Sequence, residues 1–101
     1  MSIKSEIQNA YNELTEAQSD FTKIANQRLG CITGAPSIDA ERERLEAAQN
    51  VMEKAIHGAM WGSRAKRRYN YVRRLVYNVF GGEIPRFVAD IMDDSEINPF
   101  L

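Results

Sequence analysis

The sequence has little of the chemistry that enzymes and metal sites use. Its 101 residues include one cysteine, Cys31, and one histidine, His57. A lone cysteine permits no internal disulfide, and one cysteine with one histidine falls short of the ligands of a zinc site. The glycines at positions 30 and 34 are not followed by the Lys-Ser/Thr pair that a phosphate-binding loop requires. We therefore predict that the protein is not an enzyme and binds no cofactor and no metal.

Long hydrophobic runs are also missing. The apolar stretches are a few residues long, far below the roughly 20 residues that a transmembrane helix needs. The N-terminal residues, MSIKSEIQNAYNE, are charged and polar where a secretory signal needs an apolar core. Together with the single cysteine, these absences predict a cytoplasmic protein without a membrane partner.

Prolines are few, and no segment has a convincing β-strand pattern. The three prolines, at positions 36, 85 and 99, fall at the boundaries of segments with helical periodicity. The length is close to that of one ordinary domain. The sequence therefore predicts a single all-α domain that spans residues 1–101.

A heptad rhythm runs through residues 1–30, the first predicted helix. Ser2 is well placed to cap its N-terminus. Its apolar and small residues step alternately by four and three positions, which places them on one seam. They are Ile3, Ile7, Ala10, Leu14, Ala17, Phe21 and Ile24. A seam of this length has to be covered by a partner helix.

Residues 37–80 are predicted to form a long second helix with a kink or a break. The first half repeats the heptad rhythm at Leu45, Ala48, Met52, Ala55 and Ala59. We expect this half to pack against helix one as an antiparallel hairpin. The apolar residues then restart in a new register at Ala65, Tyr69, Val72, Val76 and Val79. The change falls at Gly62-Ser63, and a Gly/Ser pair is an identifiable cause of helix bending.

The remaining chain is short. Gly81-Gly82 stops the second helix, residues 83–92 are predicted to form a short helix, and residues 93–101 form an acidic tail. Two long helices bury little apolar surface by themselves. The heptad seam and the second apolar face around Val72 and Val76 therefore favour self-association, with a symmetric dimer as the first choice among oligomers.

Positive charge is concentrated in one segment. Residues 63–74, SRAKRRYNYVRR, hold six of the thirteen basic residues and none of the fourteen acidic ones, although the net charge of the chain is −1. On a helix with ~100° per residue, most of these cations fall opposite the apolar face, around Tyr71. The predicted binding residues are Arg64, Arg67, Arg68, Tyr71 and Arg74, with Lys66, Arg73 and Tyr77 to one side.

This charge pattern supports two functional hypotheses. Guanidinium groups form bidentate hydrogen bonds with carboxylate or phosphate, and a tyrosine ring offers a stacking plane. The first hypothesis is a small interaction protein that docks on the acidic surface of a larger protein or complex. It would be an inhibitor, adaptor or regulator of the kind that phages and mobile elements encode. The alternative is nucleic-acid or nucleotide binding by the same face. A third interpretation gives the arginines no ligand, because glutamates elsewhere in the chain pair with them or the acidic tail masks them.

Two other groups of ionisable residues are assigned to ordinary surface chemistry. Glu13, Glu16 and Asp20 share one face of helix one, and we predict that they are solvated. His57 is predicted to lie at the surface or at the edge of the seam.

Overall fold

The computed structural model describes residues 2–30, 38–60 and 65–100. These residues form four α-helices: α1 (Ile3–Leu29), α2 (Asp39–Met60), α3 (Lys66–Val79) and α4 (Arg86–Met92). Within the described ranges no residue belongs to a β-strand. The all-α prediction is confirmed.

Local hydrogen bonds explain where α1 begins and α3 ends. The Ser2 hydroxyl oxygen accepts a hydrogen bond from the Ser5 backbone N–H at 3.1 Å, as predicted for an N-cap. At the end of α3, Gly81 and Gly82 adopt positive φ angles of 63° and 87°. The Gly82 N–H donates to the Tyr77 carbonyl at 3.0 Å. Glycine adopts this conformation without the steric cost that a side chain would add, so the pair ends the helix.

Helix α1 packs against α2 through the predicted seam. Its centre is fully buried at Ile7, Ala10, Leu14 and Ala17, and α2 buries Ala48, Met52, Ile56, Ala59 and Met60. The ends of the predicted α1 seam, at Ile3, Phe21 and Ile24, are only half-buried. The segment that connects the two helices, residues 31–37, lies outside the described residues.

The second predicted apolar face lies on α3, with one correction. Tyr69, Val72 and Val76 are buried and Val79 is half-buried, but Ala65 is exposed. Ala65 precedes the first helical turn with an extended backbone (φ −69°, ψ 129°), so it does not share the face of the residues that follow. Helical structure is therefore interrupted at Ala65. The proposed bending point, Gly62-Ser63, lies outside the described residues.

Helix α4 and the residues after it complete the core. Val88, Ile91 and Met92 of α4 and Ile97 of the tail join the buried cluster that α1, α2 and α3 form. Phe80 contacts this cluster and also the smaller one around Leu14, Ala17 and Ala48. None of the helices in the described ranges is both long enough and apolar enough to cross a bilayer.

Candidate binding face on helix α3

Helix α3 separates charge from apolar surface. It carries five basic residues and no acidic residue. Because Tyr69, Val72 and Val76 are buried against the core, the helical period turns Arg67, Tyr71 and Arg74 toward solvent. We call these three exposed residues the outer face of α3.

The outer face is open. Tyr71 exposes 47% of its surface, although its ring is large and partly apolar. Within the described part of the chain, neither Arg67 nor Arg74 forms an ion pair or a side-chain hydrogen bond. Asn70 and Asn78 are exposed on the same helix and add amide donors and acceptors. The arrangement suits a ligand that presents several anionic or acceptor groups.

Arg68 lies at the edge of this face and contributes to the fold. The side chain is half-buried, and its Nε–H donates to the carbonyl oxygen of Ala59 near the end of α2. Its guanidinium carbon is 5.9 Å from the centroid of the Tyr71 ring, within cation–π range. Arg68 therefore joins α3 to α2 and also supports Tyr71.

Lys66, Arg73 and Tyr77 lie to one side of the outer face, and all three are exposed. The Lys66 Nζ lies 5.5 Å from the centroid of the Phe100 ring, which belongs to the tail. Arg73 lines a cleft between α3, α4 and the tail. Tyr77 exposes 53% of its surface. The eighth predicted binding residue, Arg64, lies outside the described residues.

The cations of α3 contrast with Arg44 of α2, which is surrounded by carboxylates. Arg44 Nε is 3.3 Å from Glu13 Oε1, its second terminal nitrogen is 3.3 Å from Glu16 Oε1, and its first pairs with Asp20. The hydrogen bond with Glu16, helped by Glu13, raises the pKa of Arg44 above its usual value. The three acids keep 39 to 66% of their side-chain surface exposed, and they bind a cation that had not been predicted for them.

The acidic tail approaches α3 through apolar and amide groups. Ile97 and Asn98 are buried, and the Asn98 Nδ2 donates to the Tyr69 hydroxyl at 3.2 Å. The Phe100 ring meets the Tyr69 ring edge-on, with centroids 5.6 Å apart. In the described ranges no tail carboxylate forms an ion pair with Lys66, Arg67, Arg73 or Arg74.

Burial and local charge act together on Tyr69. Burial raises the pKa of the Tyr69 phenol, and the positive charge of Arg73 opposes this rise while Asp93 adds to it. The neutral phenol is therefore the favoured form, and it can accept the hydrogen bond from Asn98. This contact fixes the tail against the buried side of α3.

His57 of α2 lies near Asp94 at the start of the tail. Its Nε2 lies 3.8 Å from Asp94 Oδ2 and is shielded from solvent, which agrees with a histidine at the edge of the seam. Among the residues that the structure describes, no group of three or more His, Cys, Asp or Glu side chains could hold a metal ion.

Comparison with known proteins gives no relative from which a role could be transferred: no family model, no curated protein and no solved structure matches this chain. Functional inference therefore depends on the geometry alone.

The contribution of the tail to the α3 surface was not predicted from the sequence. Phe100 and Asn98 contact Tyr69, and Phe100 also contacts Lys66. The only signal in the sequence is an aromatic residue that follows the acidic run 93–96 near the C-terminus. That signal does not identify the helix on which the ring would pack.

Proposed function

We propose that this protein is a small, non-enzymatic interaction protein of the cytoplasm that docks on an acidic surface of a larger protein or complex. The outer face of α3, Arg67, Tyr71 and Arg74, makes the central contact. Arg68, Lys66, Arg73 and Tyr77 border it, and Arg64 precedes it in the chain.

The observation that carries this proposal is the difference between Arg44 and the outer face. Arg44 is neutralised by three carboxylates of its own chain. In the described ranges Arg67 and Arg74 have no such partner, and they flank a tyrosine that is half-exposed. Arginine and tyrosine are enriched among the residues that dominate protein interfaces. Their side chains on α3 are therefore available to an external anion.

Nucleic-acid or nucleotide binding by the same face is the second candidate. The exposed ring of Tyr71 beside arginines is the combination that single-stranded nucleic-acid sites use for stacking and phosphate contact. Against this candidate, the chain has a net charge of −1 and a pI near 5.8, whereas nucleic-acid-binding domains are commonly basic. We therefore place it second.

The proposal includes an architecture in which α1 and α2 form an antiparallel hairpin that supports α3. Two groups of contacts support this arrangement. Arg44, early in α2, reaches Asp20 in the later half of α1, whereas Val51 and Lys54 lie beside Glu6 and Asn9, early in α1. We further propose that the chain forms a homo-oligomer, with a symmetric dimer as the simplest form. A monomer mass by light scattering at tens of micromolar would contradict the oligomer.

The decisive experiment is a tagged pull-down from lysate with and without nuclease, analysed for protein and nucleic acid. The proposal requires a protein that remains bound after nuclease treatment. Recovery of nucleic acid alone, lost with nuclease or in high salt, would favour the second candidate, because phosphate contacts weaken steeply as salt rises.

A pair of double variants makes the experiment specific to α3. Arg67→Glu with Arg74→Glu reverses both arginines of the outer face and should abolish capture while helicity by circular dichroism is retained. Lys4→Glu with Arg42→Glu makes the same change in net charge at exposed positions of α1 and α2 and should leave capture intact. Equal loss of capture in both double variants would show that net charge alone explains the effect. It would contradict the assignment of binding to the outer face of α3.

A further inference from the structure

The later helices cover only one side of the α1–α2 pair. Phe80, which follows α3, meets the Tyr11 ring of α1 edge-on, with centroids 4.9 Å apart. Helix α4 meets α2 beside Gln49 and Glu53, which share a cleft with residues of α4. At ~100° per residue, Val51 lies about 160° around the helix from both of these α2 residues. Val51 therefore faces the side of the pair that α4 leaves uncovered, which we call the open side.

A groove of about 390 Å³ lies between α1 and α2 on the open side. Its wall is mainly apolar and includes Ala10, which is buried, Ala55, which is half-buried, and Val51, which exposes 48% of its surface. Glu6 of α1 and Lys54 of α2 also line the groove. Within the described ranges neither of these two forms an ion pair or a side-chain hydrogen bond. The groove thus combines an apolar centre with two opposite charges that are not paired with each other.

On the open side each helix carries charge of one sign. Helix α2 presents two bases and no acid in a stripe with steps of three and four residues, formed by Arg44, Ala47, Val51, Lys54 and Gly58. Helix α1 presents four acids and no base in a stripe with the same steps, formed by Glu6, Asn9, Glu13, Glu16 and Asp20. The open side is therefore divided lengthwise into an acidic half and a basic half.

This division is complementary to itself under one kind of two-fold symmetry. An axis that runs along the helices lays α1 of one copy over α2 of the other, so acidic and basic stripes meet at two equivalent places. Glu6 and Lys54 border the same groove, so the same axis brings Glu6 of each copy opposite Lys54 of the partner subunit. An axis across the helices would lay α1 on α1 and α2 on α2, which would bring like charges together.

The exposed surface of the chain is sufficient for such an interface. The chain exposes 6672 Å², whereas a compact monomer of 11.5 kDa exposes about 5800 Å². Its radius of gyration is 16.1 Å, compared with about 13 Å for a compact domain of this length. The excess surface is close to the roughly 800 Å² that each partner buries in an interface of standard size.

We propose that the open side is a homodimer interface in which α1 of each copy packs on α2 of the other. Val51 lies in its apolar centre, and Glu6 pairs with Lys54 of the partner subunit. The inference rests on the homo-oligomer of the proposed function and deepens it, since it names the interface and its symmetry. The outer face of α3 lies outside this interface and stays available to the partner protein.

The test measures the mass of the full-length chain by light scattering at tens of micromolar. Wild type should have twice the chain mass of 11.5 kDa. Glu6→Lys and Lys54→Glu should each weaken dimerisation about tenfold or more, because like charges replace both ion pairs of the dimer. An equimolar mixture of the two variants should restore the dimer. In the mixed dimer the introduced lysine faces the introduced glutamate, and the second contact keeps the native pair.

Two matched variants control for net charge. Glu46→Lys and Lys4→Glu make the same charge changes at exposed positions on other faces of α2 and α1, and both should leave the dimer mass unchanged. The double variant Arg67→Glu with Arg74→Glu should also remain dimeric, because it alters the outer face of α3. Circular dichroism verifies that each variant keeps its helicity.

The possible results separate the interface from the rest of the proposal. A dimeric wild type that neither Glu6→Lys nor Lys54→Glu weakens, or a mixture that stays monomeric, would refute the interface and leave the oligomer standing. A monomeric wild type would overturn the interface together with the oligomer, whereas capture through Arg67 and Arg74 is measured independently. A monomeric wild type that loses capture with Glu6→Lys would assign the open side to the partner protein and also overturn the inference.

Discussion

Arg68 of α3 donates its Nε hydrogen to the carbonyl oxygen of Ala59, one residue before the last residue of α2. Carbonyls in the last turn of a helix lack an intrahelical partner, and the helix dipole places partial negative charge there. A guanidinium at this point therefore gives the Ala59 carbonyl a charge-assisted donor and joins two helices. This hydrogen bond gives Arg68 a structural role that Arg67 does not have, although the two residues are adjacent in sequence and identical in type.

This difference predicts unequal effects of two alanine substitutions. Arg68→Ala should lower the free energy of unfolding by about 1–2 kcal/mol, because a charge-assisted hydrogen bond to a partly buried carbonyl is lost. Arg67→Ala should change it by less than about 0.5 kcal/mol, since this exposed side chain has no hydrogen bond or ion pair within the described residues. Urea unfolding followed by circular dichroism measures both values, and equal losses would contradict the role of Arg68.

The contact between Asn98 and Tyr69 predicts a stability effect of Tyr69→Phe. The substitution removes the hydroxyl that accepts the Asn98 hydrogen bond and keeps the ring, so it should destabilise the protein by about 1 kcal/mol at neutral pH. Tyr71→Phe is the matched control and should be close to neutral, because Tyr71 is half-exposed. Thermal unfolding of the two variants tests the assignment.

Tyr69 also predicts a loss of stability in alkaline solution. Burial raises the pKa of Tyr69 in the folded state above the ordinary value of 10.0. Above that ordinary value the unfolded chain loses the proton while the folded chain retains it, so the unfolded state gains relative stability. The contribution of the neutral Tyr69 phenol to the free energy of unfolding is fully present below pH 10, and it falls as the pH rises toward the pKa of the folded state. The difference in unfolding free energy between wild type and Tyr69→Phe should shrink over that interval. A constant difference would contradict the predicted role of Tyr69 ionisation.

The sequence predicted the long helices because their burial pattern is local. Heptad spacing identified Ile7, Ala10, Leu14 and Ala17, and all four are buried. The same rhythm wrongly placed Ala65 on the apolar face of α3. Periodicity predicts which residues share a helix face, but it does not predict the residue at which the helix begins. Ala65 has the extended backbone of a residue that precedes a helix.

Contacts that single side chains make across the fold could not be predicted from the sequence. Charge segregation indicated a basic face, yet nothing in the pattern distinguished Arg68, which is bound to Ala59, from Arg67. The position of Phe100 depends on the tail returning to α3, and a terminal aromatic residue has no periodicity that would reveal this path. The ion pairs of Arg44 could not be predicted either, because the three carboxylates lie 24 to 31 residues earlier, on another helix.

Two glycines predict opposite effects of the same substitution. Gly58 lies inside α2, and apart from its chain neighbours and the backbone of its own helix no described atom is within 4 Å of a Cβ built on it. Gly58→Ala should therefore stabilise the protein by about 0.5–1 kcal/mol through helix propensity. Gly82 has φ +87°, and a Cβ there would lie 3.2 Å from the Tyr77 hydroxyl oxygen.

Gly82→Ala should accordingly destabilise the protein by about 1 kcal/mol or more, because backbone strain adds to the close contact. Denaturant midpoints of the two variants, compared with wild type, should move in opposite directions. Destabilisation by Gly58→Ala would show that the glycine is required for close packing in α2, and an unchanged midpoint for Gly82→Ala would contradict the strain at the end of α3.

The cluster around Arg44 predicts a stability effect that depends on salt. Arg44→Ala removes the cation that separates Glu13, Glu16 and Asp20 and leaves three carboxylates on one face of α1. The variant should be less stable than wild type in dilute buffer, because repulsion between the acids replaces attraction. Salt screens charges at the surface, so the difference in unfolding free energy between wild type and Arg44→Ala should narrow in molar sodium chloride. Arg42→Ala, which changes an exposed arginine without such partners in the described ranges, should show no comparable dependence.

Arg44→Lys separates charge from geometry at the same position. A lysine keeps the positive charge but offers a single ammonium group, whereas the guanidinium reaches the three acids through three different nitrogen atoms. Arg44→Lys should therefore recover only part of the stability lost in Arg44→Ala at low salt. Full recovery would mean that net charge on the α1–α2 surface is sufficient. No recovery would mean that the forked contacts of the guanidinium, which hold α2 against α1, carry the whole effect.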